Sequence, residues 1–179
     1  GLVVLKGGLF EASRHRAANR AFFGDHIHGD EAAGTPLVHR LAVELEQDSS
    51  HLDGRRVVLM PLANPDGTYY GGDNTVAGAI RYYATASGGA SYVDGNRNFP
   101  DPTGDNHPDG NAWWRETQTM MNLSASESFA LSACFHGGAE VVNYPWDTWQ
   151  RRHPDDAWFE NLSRDYADLV HDDSPGGYL

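Results

Sequence analysis

The 179-residue chain is 40% hydrophobic, which is enough to bury the core of one globular domain. Its formal net charge is −12 and no Lys- or Arg-rich run occurs, so we expect no nucleic-acid surface. The chain contains no apolar stretch as long as a membrane span, and we therefore expect no transmembrane segment. Its single cysteine, Cys134, excludes an internal disulfide. The apolar opening Gly-Leu-Val-Val-Leu is not typical of a signal peptide, although a processed secreted protein would look the same, so the compartment stays open.

Short apolar runs alternate with polar connections in the first part of the chain. Residues 2–5 and 21–27 predict two buried strands, and residues 56–62 predict a third. Between them, Thr35 followed by Pro36 predicts the start of a helix. The apolar stripe of that helix is expected at Leu37, Leu41 and Leu45, with Val38 and Ala42 beside them.

A long segment with little periodicity follows, and regular structure then returns. Residues 64–112 are rich in Gly, Asn, Asp and Pro, which is typical of a functional or disordered loop. Residues 115–123 predict a helix, and residues 129–135 and 140–144 predict strands. The last predicted helix, over 155–170, has an apolar face formed by Trp158, Phe159, Leu162, Tyr166 and Leu169. This alternation predicts an α/β fold with a mixed, partly parallel central sheet flanked by helices.

Two histidine motifs lie just after predicted strands. His28 and Glu31 follow the second strand, and His136 follows the fourth. Ligands of open α/β sheets collect at the carboxyl ends of the strands, so these side chains can converge. Two imidazoles and one carboxylate form a ligand set that a catalytic zinc ion accepts while a fourth position stays open. An Arg among amides, Arg97 between Asn96 and Asn98, suits recognition of a carboxylate.

Four motifs, in this order, resemble those of the zinc metallocarboxypeptidase family. They are Ile27-His28-Gly29-Asp30-Glu31, Asn64-Pro65-Asp66-Gly67, Asn96-Arg97-Asn98-Phe99-Pro100-Asp101 and His136-Gly137-Gly138-Ala139. The stretch Val142-Asn143-Tyr144-Pro145-Trp146-Asp147 is similar to the branch that contains the regulatory and bacterial enzymes. The resemblance implies a peptidase that removes the C-terminal residue of peptides or proteins by means of a zinc-activated water.

The resemblance also implies roles for individual residues. His28, Glu31 and His136 would bind one zinc ion, and Asp94 would support a zinc-bound imidazole from behind. Asn96, Arg97 and Tyr144 would bind the substrate, the first two through its terminal carboxylate. Arg81 is the candidate for stabilising the oxyanion, with a packed loop residue as an equal alternative.

Several other residues have competing interpretations. His26 alternates with His28 and could ligate zinc, but a buried or supporting histidine is the preferred interpretation. Cys134 is expected in the core rather than as a ligand. Trp113 and Trp114 could line a substrate cleft, although aromatic packing is the safer expectation.

The family's general-base Glu, which lies well downstream of the third zinc ligand, has no match here. Glu140 and Glu160 are the glutamates available after His136, and neither is assigned that role. We therefore expect residues 1–179 to form a single catalytic domain that is incomplete at its C-terminus. Two alternative functions stay open: a zinc acylase of the aspartoacylase type, and a non-catalytic zinc- or peptide-binding relative.

Overall fold

A five-stranded sheet forms the centre of the computed structural model, which describes residues 2–4, 20–25, 27–100, 109–147 and 150–174. In chain order, its strands are β1 (Leu2–Val4), β2 (Arg20–Asp25), β3 (Arg56–Met60), β4 (Leu131–His136) and β5 (Val142–Asn143). Across the sheet they lie in the order β3-β2-β4-β1-β5. Strand β2 pairs in parallel with β3 and β4, β1 pairs antiparallel with β4, and β1 pairs in parallel with β5. The predicted mixed, partly parallel α/β fold is confirmed.

Within the described residues, four helices accompany the sheet. They are α1 (Gly34–Gln47), α2 (Pro65–Thr68), α3 (Arg115–Glu127) and α4 (Asp156–Asp173), with 3₁₀ turns at Ser49–Leu52 and Gly95–Arg97. Among the described residues, no helix is both long and apolar enough to cross a membrane.

The predicted start of α1 at Thr35 was wrong. The helix already begins at Gly34, and Ala33 is its N-cap. The Thr35 hydroxyl donates instead to the Pro61 carbonyl oxygen at 2.6 Å, which ties the first turn of α1 to the segment after β3. A tertiary hydrogen bond has replaced the local cap that the sequence suggested.

Strand ends also differ from the predictions. Strand β2 ends at Asp25, so Ile27 lies in the following turn, and β4 includes His136 as its last residue. The strand predicted over 140–144 is reduced to Val142 and Asn143, which pair with Val3 and Val4 of β1. A strand extends only as far as a neighbour offers pairing partners, which sequence periodicity does not reveal.

The central hydrophobic cluster contains Val38 of α1 with Ala133 and Phe135 of β4. Leu162 and Tyr166 of α4 pack against it, and Phe159 is also buried. Three residues of the predicted apolar stripes are instead exposed: Leu37 at 42%, Trp158 at 52% and Leu169 at 65%. Val38, expected beside the stripe, takes the buried position next to Leu37, while Leu41 and Leu45 of the predicted stripe are half-buried.

Parts of the long segment over 64–112 are packed against the rest of the domain. Tyr83 is fully buried and stacks on Trp114, with ring centroids 6.3 Å apart. Asn64 and Asn98 are likewise fully buried, and an antiparallel bridge joins Ala84 to Ala90. Of the two possibilities for such a loop, these contacts argue against disorder in the described part.

Candidate metal centre

The register of the sheet brings the two histidine motifs together. Strands β2 and β4 are parallel neighbours, and Asp25 near the end of one pairs with Phe135 near the end of the other. His136 is the next residue of β4, while His28 and Glu31 lie in the turn that connects β2 to α1. Their side chains therefore meet at the carboxyl edge of the sheet, as the sequence predicted.

Three side chains present their ligand atoms to one point. His28 Nδ1 lies 2.8 Å from Glu31 Oε1, and His136 Nδ1 lies 2.8 Å from Glu31 Oε2. The two Nδ1 atoms are 3.2 Å apart, and all ligand atoms fall within 4.8 Å of one another. A tetrahedral zinc ion with Zn–N bonds near 2.05 Å separates its ligands by about 3.3 Å. These residues consequently fit zinc in both donor type and spacing.

Neighbouring groups keep the carboxylate of Glu31 in its ligating form against the effect of burial. The rings of His28 and His136 are only 2% and 4% exposed. Burial on its own would raise the pKa of Glu31, but the charge of His28, the Gly137 N–H and His136 together lower it. The Gly137 N–H donates to Glu31 Oε2 at 3.1 Å. Glu31 is thus ionised, as metal binding requires.

Asp94 lies behind His28, where the sequence placed it. Its Oδ1 accepts from His28 Nε2 at 2.9 Å and from the Asn96 backbone N–H at 2.8 Å, and its Oδ2 accepts from Arg81 Nε at 3.0 Å. Burial opposes ionisation, but His28, Arg81 and Asn96 hold the pKa of Asp94 far below its ordinary value. An ionised Asp94 can only accept, so His28 Nε2 is the donor of this hydrogen bond, while Nδ1 faces Glu31 and His136.

Arg81 lines the site and is 37% exposed. Besides Asp94, it contacts Glu31, with Nη1 3.2 Å from Oε1. Burial would lower the pKa of Arg81, but Asp94 and Glu31 outweigh that effect and raise it, so the guanidinium is charged. The oxyanion role of Arg81 stays a prediction, now with a position beside the metal ligands that suits it.

A pocket of about 270 Å³ opens beside the three ligands. Asn96 lines it, whereas Arg97 is exposed and donates from Nη1 to the carbonyl oxygen of its neighbour Asn96 at 3.1 Å. Tyr144 stacks on Phe159 at the hydrophobic core. Substrate binding by Arg97 and Tyr144 therefore stays a prediction without direct support from their positions. The remaining lining residues are His28, Glu31, Arg81, His136, Gly137, Gly138, Ala139, Asn143 and Asp147.

Two buried asparagines hold the loops around the site, and the sequence interpretation missed both. Asn64 donates from Nδ2 to the carbonyl oxygens of Ile27, at 3.3 Å, and Tyr82, at 3.1 Å, and accepts from the Gly67 N–H at 2.9 Å. Asn98 accepts from the Trp114 N–H at 2.8 Å and donates to Asp109. An Asn directly before Pro65 is an N-cap signal that could have identified the first of them.

The remaining candidates lie elsewhere. Glu140 is exposed, and Glu160 on α4 accepts from Arg164 at 2.8 Å, so neither reaches the pocket. Cys134 is half-buried in β4. Trp114 packs on Tyr83, which favours the packing interpretation for that residue. His26 lies outside the described residues.

Comparison with solved structures relates the fold to that of a peptidase. Carboxypeptidase A from Helicoverpa armigera superimposes with a TM-score of 0.69 over 89% of this chain and 43% of its own length. Its sequence identity of 17% supports similarity of fold alone.

Sequence comparisons connect the motifs to named relatives. Carboxypeptidase M of Mus musculus is 33% identical over 158 residues, which cover 79% of this chain and 34% of that protein. The catalytic chain of human carboxypeptidase N is 30% identical and matches over 79% of this chain and 38% of its own length. The chain thus spans little more than a third of these two relatives.

The family model for zinc carboxypeptidases matches residues 6–175, nearly the whole chain, and it includes each of the four motifs around the pocket. The resemblance noted in the sequence is therefore confirmed: the chain belongs to the zinc carboxypeptidase family.

Proposed function

We propose that this chain forms the metal-binding and carboxylate-binding part of a zinc-dependent carboxypeptidase. The observation that carries the proposal is the convergence of His28, Glu31 and His136 on one point, with their ligand atoms at tetrahedral spacing. The substrate would be a peptide or protein with a free C-terminal carboxylate. Family membership supports a hydrolase of this class, while turnover by this chain is our proposal.

The metal and the pocket residues would have different roles in the reaction. Zinc, when bound, supplies Lewis-acid chemistry: it polarises the scissile carbonyl and lowers the pKa of a water molecule. The Arg81 guanidinium lies close enough to the ligands to stabilise negative charge on the carbonyl oxygen. Asn96 lines the pocket as a hydrogen-bonding partner for the substrate carboxylate. Arg97 would have to turn its side chain toward the pocket to act with it.

The general base is not assigned to any described residue. Of the described pocket-lining residues, Glu31 and Asp147 carry carboxylates, and we assign Glu31 to the metal. A second candidate function, left open by the sequence, is a zinc- or peptide-binding relative without turnover.

Activity assays with and without a chelator distinguish the candidates. Purified protein is incubated with blocked dipeptides and, separately, with N-acyl amino acids, and its zinc content is measured. Chelator-sensitive release of a C-terminal residue supports the carboxypeptidase, and deacylation alone would support an acylase instead. Stoichiometric zinc with neither activity supports the binding module.

Ligand variants test the metal centre itself. We expect His28→Ala and His136→Ala to abolish tight zinc binding, whereas His51→Ala, at an exposed histidine, leaves it unchanged. Stoichiometric zinc retained in either ligand variant would overturn the assignment.

A further inference from the structure

We propose that His153 is a positioning residue for the pocket beside the metal ligands. Its ring packs against Trp146 and so fixes the backbone from which Asp147 enters the lining of the pocket. The inference rests on the proposed function in one respect, because one of its two tests takes the pocket to receive the terminal residue of a peptide.

Asn143 and Asp147 both line the pocket, but the fold holds them in different ways. Asn143 belongs to β5 and pairs with Val4 of β1. Asp147 lies beyond the end of that strand, is exposed and belongs to no helix or strand. Its φ of 57° is left-handed, a conformation that is uncommon outside glycine and persists where neighbouring contacts hold it. Contacts outside the sheet must therefore determine where Asp147 lies.

Aromatic rings at the start of α4 supply such contacts. Trp146, directly before Asp147, lies against His153, with ring centroids 4.5 Å apart and ring planes inclined by 56°. His153 in turn meets Phe159 edge-on at 5.3 Å, and the buried Phe159 stacks on Tyr144 at 6.2 Å. Ring pairs of this kind stabilise packing beyond the apolar area that they bury. His153 thus connects the residue next to Asp147 to the hydrophobic core.

The ring of His153 is itself held in place by the backbone that leads into α4. Its side chain is 16% exposed, and Nδ1 accepts from the Asp155 N–H at 3.0 Å. The carbonyl oxygen of His153 accepts from the Asp156 N–H, also at 3.0 Å. The ring therefore cannot turn away from Trp146 without losing a hydrogen bond at the start of an 18-residue helix.

Two substitutions separate the ring of His153 from its hydrogen-bond acceptor. His153→Phe keeps a ring against Trp146 but loses the acceptor for the Asp155 N–H. His153→Asn loses the ring but keeps an acceptor, because Asn Oδ1 occupies the position of His Nδ1 along the side chain. If the ring positions Asp147, only the Phe variant retains the wild-type pocket. Trp158→Ala is the control for a general change of packing, since Trp158 is an exposed ring that packs on Phe159 at 5.0 Å.

The first measurement needs neither a peptide nor a metal. It is the order parameter of the Asp147 backbone amide, obtained from ¹⁵N relaxation, which reports motion on the picosecond to nanosecond timescale. We expect a lower value in His153→Asn than in the wild type, and wild-type values in His153→Phe and Trp158→Ala. The Asn143 amide, held by the sheet, should not change in any variant and serves as the internal reference.

The second measurement is a ratio of two affinities. The probes are dipeptide analogues that end in Arg or in Leu, with a methylene group replacing the carbonyl of the last peptide bond so that hydrolysis is impossible. A general loss of packing weakens both and leaves their ratio unchanged. An exposed carboxylate favours the Arg-ended analogue by about two- to fivefold.

We expect His153→Asn to lower this ratio by about twofold or more and His153→Phe to keep it. Because His153 is proposed to act through the Asp147 carboxylate, adding His153→Asn to Asp147→Asn should lower the ratio no further than Asp147→Asn alone. His153→Leu provides a second ring-free variant if His153→Asn does not fold.

An unchanged ratio in the ring-free variant would overturn the positioning role, and so would an equal loss in His153→Phe or an unchanged order parameter of Asp147. Failure of the proposed function is recognised separately. If the wild type binds neither analogue, the pocket does not receive a peptide terminus, while the order parameters still decide whether His153 positions Asp147.

Discussion

Both nitrogens of the His28 ring have partners, and the site depends on that two-sided arrangement. Asp94 accepts from Nε2, while Nδ1 faces Glu31 and His136, and the ring itself is buried. A buried polar network stabilises a fold only when each of its groups has its partners. Removing Asp94 is therefore expected to disturb both the orientation of the His28 ring and the geometry of the metal site. The sequence marks His28 as a ligand, but only the structure shows how its orientation is fixed.

Asp147 gives the pocket a carboxylate that can select the substrate side chain. It lines the pocket with Asn143 and has a left-handed backbone conformation, with φ of 57°. Asp147 is exposed, so water screens its attraction for a cationic side chain, and such a contact is worth up to about 1 kcal/mol. We predict that peptides ending in Arg or Lys bind more tightly than peptides ending in Leu, and that Asp147→Asn reduces this preference about two- to fivefold.

Equilibrium binding of paired peptides measures this preference without requiring turnover. Asp53→Asn is the matched control, since Asp53 is also an exposed aspartate with a positive φ, but it lies beside Arg55 and not in the lining of the pocket. An unchanged ratio of Arg-ended to Leu-ended affinity in Asp147→Asn would show that another residue selects the terminal side chain.

At the scale of elements, Asn64 joins three segments that otherwise have no regular pairing. Its amide connects the turn at α2 to the His28 turn and to the segment that follows Arg81. Asn64→Ala leaves several buried backbone groups without partners, each costing about 1–3 kcal/mol. We predict a loss of about 2–4 kcal/mol in the free energy of unfolding, measured by urea titration. Asn74→Ala, at an exposed loop residue, should change it by less than about 0.5 kcal/mol, and similar losses in both variants would contradict the role of Asn64.

Gly29 permits the close approach of two loops to the metal-binding turn. The constraint on this position is the space around it. A Cβ atom here would lie 2.5 Å from the Ile80 carbonyl oxygen and equally close to the Thr68 backbone nitrogen. These are backbone atoms that cannot rotate away, so overpacking is expected to cost about 1–3 kcal/mol.

We therefore predict that Gly29→Ala lowers the midpoint of urea unfolding and weakens zinc binding. Gly89→Ala is the control, because a Cβ there meets only the Thr85 hydroxyl oxygen at 3.3 Å. Wild-type zinc affinity in Gly29→Ala would mean that the loops can shift without moving His28.

The sequence predicted the strands and the proximity of His28, Glu31 and His136 more accurately than the packing of the loops and helices. Apolar runs locate strands β2, β3 and β4 because buried parallel strands are apolar on both faces. The apolar stripe around Leu37 and Val38 does not predict which of these two adjacent residues is buried. Asn64 and Asn98 lie in polar loops, where asparagine is normally solvated, so their burial depends on tertiary contacts that local sequence does not record.

Considered as a whole, the molecule has its candidate metal site where distant parts of the chain meet. His28 and Glu31 follow β2, His136 ends β4, and Asp94 comes from the long segment between β3 and α3. An ion bound there would crosslink elements that are separated by more than a hundred residues in sequence. Zinc binding should consequently favour the folded domain over the unfolded chain.

This linkage gives a prediction for the stability of the whole domain. A ligand that binds only the folded state at 100 times its dissociation constant adds about 2.7 kcal/mol. For a domain of this size that corresponds to a rise of about 5–10 °C in the unfolding temperature. We expect the rise on adding zinc to chelator-treated protein, measured by calorimetry, and we expect it to disappear in His28→Ala.

His51→Ala controls for zinc bound elsewhere on a chain whose net charge is −12. Exposed carboxylates can hold zinc weakly in both the folded and the unfolded state, and such binding shifts the unfolding temperature little. The increase should therefore persist in His51→Ala. An equal increase in His28→Ala would place the stabilising zinc away from the edge of the sheet where β2 and β4 end.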